Sequence, residues 1–372
     1  MLMSLDVTPL IGPQTGVGRY VASLSRELAA AHGDDEVTGI AFTVRGRADL
    51  GSVLPPGVRA VGPPAPARVM HRVWARSEWP PVTLLTGRTD VFHATNFVLP
   101  PTGRAAGVVT VHDLSFLRRP LTVTPAARAY RDLVPLSIRR ARLVLTPSAA
   151  VAEEVCETYR LPADRVVATH LGVDDGWFDA TAPDVDLRRE LGLPDRWFVF
   201  VGNLEPRKNL PLLVTAYREL LRTRPDAPGL VLVGPAGWGP SLDVAGLPPE
   251  KVVFTGYRGD REVRSIVAGA EALVYPTAYE GFGLPPLEAF ACGTPVIASD
   301  LPVIREVVGD DPGTARLVPA GDVDALVAAL TTCADHADGP GADAARRARA
   351  RLFSWTSTAA ATRAAYEQAL SG

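Results

Sequence analysis

A chain of 372 residues, 47% hydrophobic and 21% charged, is long enough for two domains of ordinary size, each with its own core. A formal net charge of −3 argues against a nucleic-acid binder that depends on bulk electrostatics. Three widely spaced cysteines, Cys156, Cys292 and Cys333, indicate neither a disulfide framework nor a zinc site, which fits a reducing cytoplasm.

In chain order, the opening MLMSLDVTPL lacks a basic region followed by a long apolar run, so no signal peptide is expected. Nor does any stretch of about 18 apolar residues occur that could span a bilayer. After a first short strand, TGVGRY (15–20) opens a helix. Val21 stands where a dinucleotide fingerprint needs its third glycine, so the motif is an incomplete fingerprint or simply a tight turn. The basic and aromatic ARVMHRVWARSEW (67–79) reads as an ordinary surface helix or as one resting on an anionic membrane surface. AGVVTVHD (106–113), ARLVLTPS (141–148) and RVVATHLG (165–172) read as buried strands. His112 and Asp113 fall at the end of the first of these, where side chains reach a cleft, although a lone histidine is by default structural. VDDGWFDATAPDVD (173–186) has turn residues without periodicity and is expected to be an interdomain linker.

A second strand series follows: WFVFVGN (197–203), GLVLVGP (229–235), KVVFTGY (251–257), EALVYPT (271–277) and TPVIAS (294–299). Strands alternating with helical patterns imply parallel sheets covered on both faces, whose ligands bind beyond the strands' carboxyl ends. In VGNLEPRKNL (201–210) a strand ends at Gly202 and a loop presents Arg207 and Lys208. This is an exposed basic turn or a pair of cations placed for a diphosphate. EGFGLPPLE (280–288) sets Glu280 in a glycine-rich loop and Glu288 inside the helix that PLEAFACG begins. Unpartnered buried acids cost several kcal/mol, so the pair is a solvated loop residue plus one that caps or salt-bridges within its helix, or a ligand grip around a helix N-terminus. Two D-x-D strings, Asp184–Asp186 and Asp322–Asp324, precede helical patterns and read as helix caps rather than metal ligands. ADGPGADAARRARAR (337–351) reads as a loop leading into a surface helix. The tail FSWTSTAAATRAAYEQAL (353–370) is a helix with Phe353, Trp355 and Tyr366 as anchors.

Taken together, TGVGRYV, VHDLSF, LEPRKN and EGFGLPPLEAFACGTPVIAS occur in the order found in retaining glycosyltransferases of family 4. The chain resembles that family from about residue 5 to 370, most closely its mannosyltransferase-like branch. The resemblance implies a GT-B architecture of two facing Rossmann-like domains, with a C-terminal helix crossing back to the N-terminal one. The expected division is 1–172 on the acceptor side, completed by about 356–372, a linker at 173–186, and a nucleotide-sugar domain at 187–355. It implies that Glu288 binds ribose and Glu280 the sugar hydroxyls, with Gly281 and the backbone of Phe282, Gly283 and Leu284 beside it. Arg207 and Lys208 would hold the diphosphate, Tyr257 would line the donor site, Gly16 would let its loop near the phosphates, and His112 would face the anomeric carbon. Many members carry an arginine directly after the strand-ending glycine; here it is Asn203.

The implied reaction is metal-independent retaining transfer of a hexose, most simply mannose from GDP-mannose, to a saccharide or glycolipid hydroxyl. UDP-glucose or another hexose donor is the alternative, and an epimerase or hydrolase of the same architecture the rival. No cofactor beyond the donor is expected. The expected place is the cytoplasm, with peripheral contact at the inner membrane face as an option.

Overall fold

Thirteen strands form two wholly parallel sheets in the computed structural model, which describes residues 1–372 apart from 13, 14, 32, 45, 47, 336–338 and 372. The first sheet takes β1 (Leu2–Asp6), β2 (Glu36–Ile40), β3 (Val58–Ala60), β4 (Val91–Ala94), β5 (Ala106–Thr110), β6 (Leu143–Thr146) and β7 (Val166–Ala168). The second takes β8 (Trp197–Val201), β9 (Gly229–Val233), β10 (Val252–Gly256), β11 (Ala272–Tyr275), β12 (Val296–Ser299) and β13 (Ala315–Val318). Their orders are β3-β2-β1-β4-β5-β6-β7 and β10-β9-β8-β11-β12-β13. Both are doubly wound, and in each the order reverses beside the sheet's first strand, at β1/β4 and at β8/β11. Such a reversal opens a crevice at the strands' carboxyl ends.

The central strands are buried along their length because both faces of a parallel sheet are covered. GLVLV of β9 is buried at every position, as are VFHA of β4 and AGVVT of β5. Helix starts follow from side-chain chemistry. Asp184 Oδ1 accepts from Leu187 N at 2.8 Å, and Asp322 Oδ1 from Ala325 N at 2.9 Å, so both D-x-D strings open helices with their first aspartate as the cap.

The chain divides into two units. One comprises Met1–Arg118, Pro125–Gly172 and Ser354–Gly372, the other Arg119–Thr124 and Val173–Phe353. The C-terminal helix Trp355–Ser371 therefore completes the first unit, packing on the Gly16–Ala31 helix and on β5. Tyr366 and Trp355 are buried, Thr358 donates to His170 O at 2.6 Å, and Arg363 holds Asp35 at 2.7 Å. Gly172 lets this helix start where it does, since a Cβ there would lie 2.2 Å from Trp355 N. Residues 173–186, read from the sequence as a linker, cluster with the second unit; Trp177 is buried under the Arg264 guanidinium, 5.7 Å from the ring centroid.

The Ala/Arg-rich stretch is a correction. Residues 337 and 338 lie outside those described, and the helix Ala342–Ala350 is no simple surface helix. Arg346 is 1% exposed and donates through Nε to Gly293 O at 2.7 Å. Arg347 donates to Ala291 O at 2.8 Å and to Cys292 O, and Arg349 to Val307 O at 3.0 Å and Glu306 O at 2.6 Å. These acceptors are the open carboxyl ends of the helices Leu284–Cys292 and Pro302–Val308. The guanidinium groups satisfy carbonyls that a helix end leaves unpaired and oppose the negative end of its dipole.

Candidate active site

β8 and β11 are neighbours, so the loops that leave their carboxyl ends meet at the reversal point of the second sheet. The first loop passes Gly202, whose φ of 146° favours glycine, and makes one 3-10 turn, Pro206–Lys208. It lies hard against the loop after β9, where a Cβ on Gly234 would sit 2.2 Å from Gly202 O. That contact fixes where Arg207 and Lys208 emerge. The loop from β11 runs through Thr277 to Glu280 and enters the helix Leu284–Cys292 at Gly283, φ 114°.

Glu280 and the cations Arg207 and Lys208, expected to act on different parts of a ligand, form one cluster here. Lys208 Nζ donates to Glu280 Oε1 at 2.7 Å and to the Tyr275 hydroxyl at 2.6 Å, and it lies 4.8 Å from the centroid of the Tyr275 ring. Arg207 donates through Nη1 to Glu280 Oε2 at 3.1 Å and through Nε to Glu205 Oε1 at 2.5 Å. Thr277 Oγ1 donates to Glu280 Oε1 at 2.8 Å. Lys208, Glu205 and Glu280 are all buried. Burial alone would raise the Glu280 carboxyl, but Arg207 and Lys208 outweigh it, and with the Lys208 and Thr277 hydrogen bonds they hold it at about 2. Burial pulls Lys208 down, against the attraction of Glu280.

The helix Leu284–Cys292 places Glu288 inside it, buried, as the sequence reading expects. Its N-terminus is narrower than a generic one. Pro285 and Pro286 fill its second and third positions and have no N–H, and Leu287 N already donates to Gly283 O at 3.3 Å. The donors that a bound anion could meet there are those of Gly283 and Leu284. Phe282 is buried edge-on to Phe353, with ring centroids 5.9 Å apart, which backs the loop with a fixed apolar wall. Tyr257 follows β10 and is 62% exposed.

In the first unit, Gly16 is the first residue of the Gly16–Ala31 helix. His112 lies two residues beyond β5, buried, with the Tyr20 and Phe97 rings edge-on at 5.2 and 5.5 Å. Its Nε2–H donates to Thr95 O at 2.8 Å, which leaves Nδ1 as the acceptor in the neutral ring. Burial lowers its pKa, against the Thr95 hydrogen bond and the Asp113 charge. Around it runs a neutral hydrogen-bonded chain. His93 shares a proton with the Tyr366 hydroxyl at 2.7 Å through Nδ1 and with the Thr110 hydroxyl at 2.7 Å through Nε2, and Tyr20 reaches Thr110 at 3.0 Å.

Sequence reading missed Glu205, Tyr275 and Thr277. A signal existed for two of them: Glu205 stands two residues before Arg207 in LEPRKN, and Thr277 three before Glu280. Asn203 donates nothing among the described hydrogen bonds of the cluster. Among the described residues no group of three or more His, Cys, Asp or Glu could hold a metal ion.

Comparison with known proteins gives two family models end to end. Residues 14–177 match Glycosyltransferase Family 4 and residues 195–336 match Glycosyl transferases group 1. The O-antigen chain mannosyltransferase B of Escherichia coli is 30% identical over 96% of this chain and 97% of its own. The MMP alpha-(1->4)-mannosyltransferase of Mycolicibacterium hassiacum is 33% identical over 66% of this chain and 59% of its own. Among solved structures, Anabaena HepE in complex with UDP-glucose superposes with a TM-score of 0.70 at 19% identity, covering 100% of this chain and 99% of that one. That likeness is one of fold, the GT-B architecture.

Proposed function

Since the chain belongs to glycosyltransferase family 4 and is an enzyme that transfers sugar, we propose that it moves mannose from GDP-mannose to a hydroxyl of a saccharide or glycolipid, with retention at the anomeric carbon. The observation that carries this reading is the Arg207–Lys208–Glu280 cluster at the reversal point of the second sheet, beside the N-terminus of the Leu284–Cys292 helix. Two relatives with mannosyltransferase in their names support the sugar.

In this mechanism the bond from the anomeric carbon to the diphosphate breaks, and a bond to the acceptor oxygen forms on the same face. The acceptor proton passes to the departing diphosphate. Charge that builds on the leaving oxygens is met by Lys208, Arg207 and the N–H groups of Gly283 and Leu284. Glu288 takes the ribose hydroxyls, and Glu280 takes sugar hydroxyls while it holds both cations in place. Phe282 and Gly281 shape the sugar pocket, Tyr257 borders the nucleotide, and Gly16 and His112 serve the phosphates and the transferred sugar. His112 acts as an acceptor through Nδ1. No metal is called for, because the diphosphate has two cations and a helix end to meet it. The enzyme works in the cytoplasm with peripheral contact at a membrane face.

A second donor, UDP-glucose, is kept because a structure of the same fold was solved with it. A thermal-shift panel of GDP-mannose, GDP-glucose, UDP-glucose and ADP-glucose separates the two, since a bound donor raises the melting temperature by mass action. GDP-mannose should give the largest shift. A larger shift with UDP-glucose would replace the donor, and a β-configured product from GDP-mannose, read by NMR, would overturn retention.

A further inference from the structure

We infer that Glu205 sets the balance between donor and product at this site. By competing for Arg207 it weakens the nucleoside diphosphate left after transfer more than it weakens the donor. The inference rests on the transferase reading above and adds to it a residue for product release. The Glu205 carboxylate acts through Arg207, which makes it a positioning residue.

Geometry supplies the first argument. Glu205 is 5% exposed, and among the described hydrogen bonds its carboxylate has one partner, Arg207 Nε at 2.5 Å. Although it stands at the cap position of the Pro206–Lys208 turn, its side chain makes no cap bond there. Its backbone is braced on both sides. Glu205 N donates to Asn203 O at 2.8 Å, Lys208 N to Glu205 O at 3.0 Å, and Leu204 N to Pro235 O at 3.2 Å. A Cβ on Gly237 would lie 2.4 Å from Leu204 O, so the loop after β9 leaves this backbone no room to retreat. A carboxylate fixed in this way does not swing clear when an anion arrives. A phosphate oxygen that binds Arg207 has to share it with Glu205.

Charge turns that competition into discrimination. Arg207 and Lys208 against Glu205 and Glu280 make a group with no net charge. Asn203, just past β8, adds none, and Pro285 and Pro286 limit the helix end to the N–H groups of Gly283 and Leu284. A sugar diphosphonucleoside carries about two negative charges. Once the sugar has left, the terminal phosphate gains a second ionisation near about pH 6, so the product carries about three at pH 8. A charge added to the site therefore acts about 1.5 times as strongly on product as on donor. A strongly cationic pocket would hold the product more tightly than the next donor, and Glu205 offsets one cation. Glu280 offsets another, but it is assigned to the sugar, so its removal changes donor contacts as well. Glu205 isolates the charge.

The test is calorimetric titration of the full chain at about pH 8 with GDP and, without acceptor, with GDP-mannose. UDP and UDP-glucose replace them if those are the ligands that bind. Wild type should hold GDP no more than about threefold more tightly than GDP-mannose. Glu205→Gln keeps the shape and an acceptor for Arg207 Nε. It should tighten GDP by about 30-fold and GDP-mannose by about tenfold, and GDP should become a stronger inhibitor of turnover in step. Glu205→Asp keeps the charge and should stay within about threefold of wild type with both ligands. A merely structural role would tighten neither. Unchanged or weaker GDP binding by Glu205→Gln overturns the inference. So does equal tightening of donor and product, or the same tightening in Glu205→Asp. If Glu205→Gln does not fold, wild type decides: GDP held about tenfold or more tightly than GDP-mannose overturns the inference, and near-equal affinity supports it. Failure of the transferase reading would show separately and first, as no binding of either nucleoside diphosphate by wild type, and would end the inference with it.

Discussion

Around the ends of β8 and β11 the second unit holds four charged side chains, Arg207, Lys208, Glu205 and Glu280, in one connected group. Around β4 and β5 the first unit holds His93, Thr110, Tyr20 and His112, hydrogen-bonded or ring-packed, with burial pushing His93 down to about 3 so that it stays neutral. Both sheets follow the same strand-order pattern here, yet the group at β8 and β11 is one of paired ions, whereas the chain through His93 is joined by neutral dipoles, with Asp113 the charge that acts on His112. The difference lies in what a single loss does. Removing one ion leaves a buried charge uncompensated, at a cost of about 3–5 kcal/mol, whereas removing one hydroxyl from a neutral chain costs about 1–3 kcal/mol. The ionic edge is therefore a unit that works whole, and the neutral edge tolerates piecemeal change.

The strongest attempt to break that contrast is Lys208→Ala, which removes the buried cation proposed to face the leaving group. Turnover should fall by about 100-fold or more. Wild-type turnover in the variant would end the diphosphate assignment.

The two glutamates sharpen it next. Glu288→Gln should weaken nucleoside diphosphate and intact donor alike by about 10- to 150-fold, the value of a hydrogen bond to a charged group. Glu280→Gln should lose turnover to a similar degree, but it removes the carboxylate charge facing Lys208 and Arg207 and should leave nucleoside diphosphate affinity equal or tighter. Calorimetric titration of both variants reads this, and a parallel loss of nucleotide affinity in Glu280→Gln would merge the two roles.

Acid stability then distinguishes the edges by pH window. Glu280 is held near 2 against an ordinary 4.5, so its contribution, on the order of 3 kcal/mol, is complete above pH 4.5 and is lost as pH falls toward 2. His93 stays neutral in the fold while the unfolded chain takes a proton below about 6.5, so its penalty grows as pH falls from 6.5 toward 3. Urea titrations between pH 7 and pH 3 should show Glu280→Gln flattening only the lower window. On the neutral edge, Tyr366→Phe should lower stability by about 1–3 kcal/mol, because it strips a partner from buried His93, with little change in donor affinity. The smallest effect is expected from chelation. EDTA should leave initial rates unchanged, and activity restored by manganese or magnesium after chelation would overturn metal independence.

Much of the fold was legible where burial leaves an uninterrupted apolar run, as in WFVFV and GLVLV. It was illegible where strands are short or carry polar residues: Val58–Ala60 has three residues, β4 buries a histidine, and β13 includes Arg316. In the site, the motif residues could be read off, but their pairing could not. Lys208 meets Tyr275 and Glu280 across 67 and 72 positions, a contact that only the adjacency of β8 and β11 creates. Arg346 misled for a similar reason. Arginine in an alanine-rich run reads as solvated, and nothing local says that its donors end on carbonyls 53 residues away.

The return of the last helix to the first unit also has a consequence for synthesis. The first unit emerges from the ribosome through Gly172, but its final piece begins at Ser354, after the 181 residues of Val173–Phe353. At roughly 5–20 residues per second, that leaves a gap of roughly 10–40 s. Through that interval His93 has no Tyr366 to meet, and the face of β5 and of the Gly16–Ala31 helix that will receive the C-terminal helix stands open to water. A nascent chain halted between Phe353 and residue 366 has its second unit complete while its first still waits for a cover.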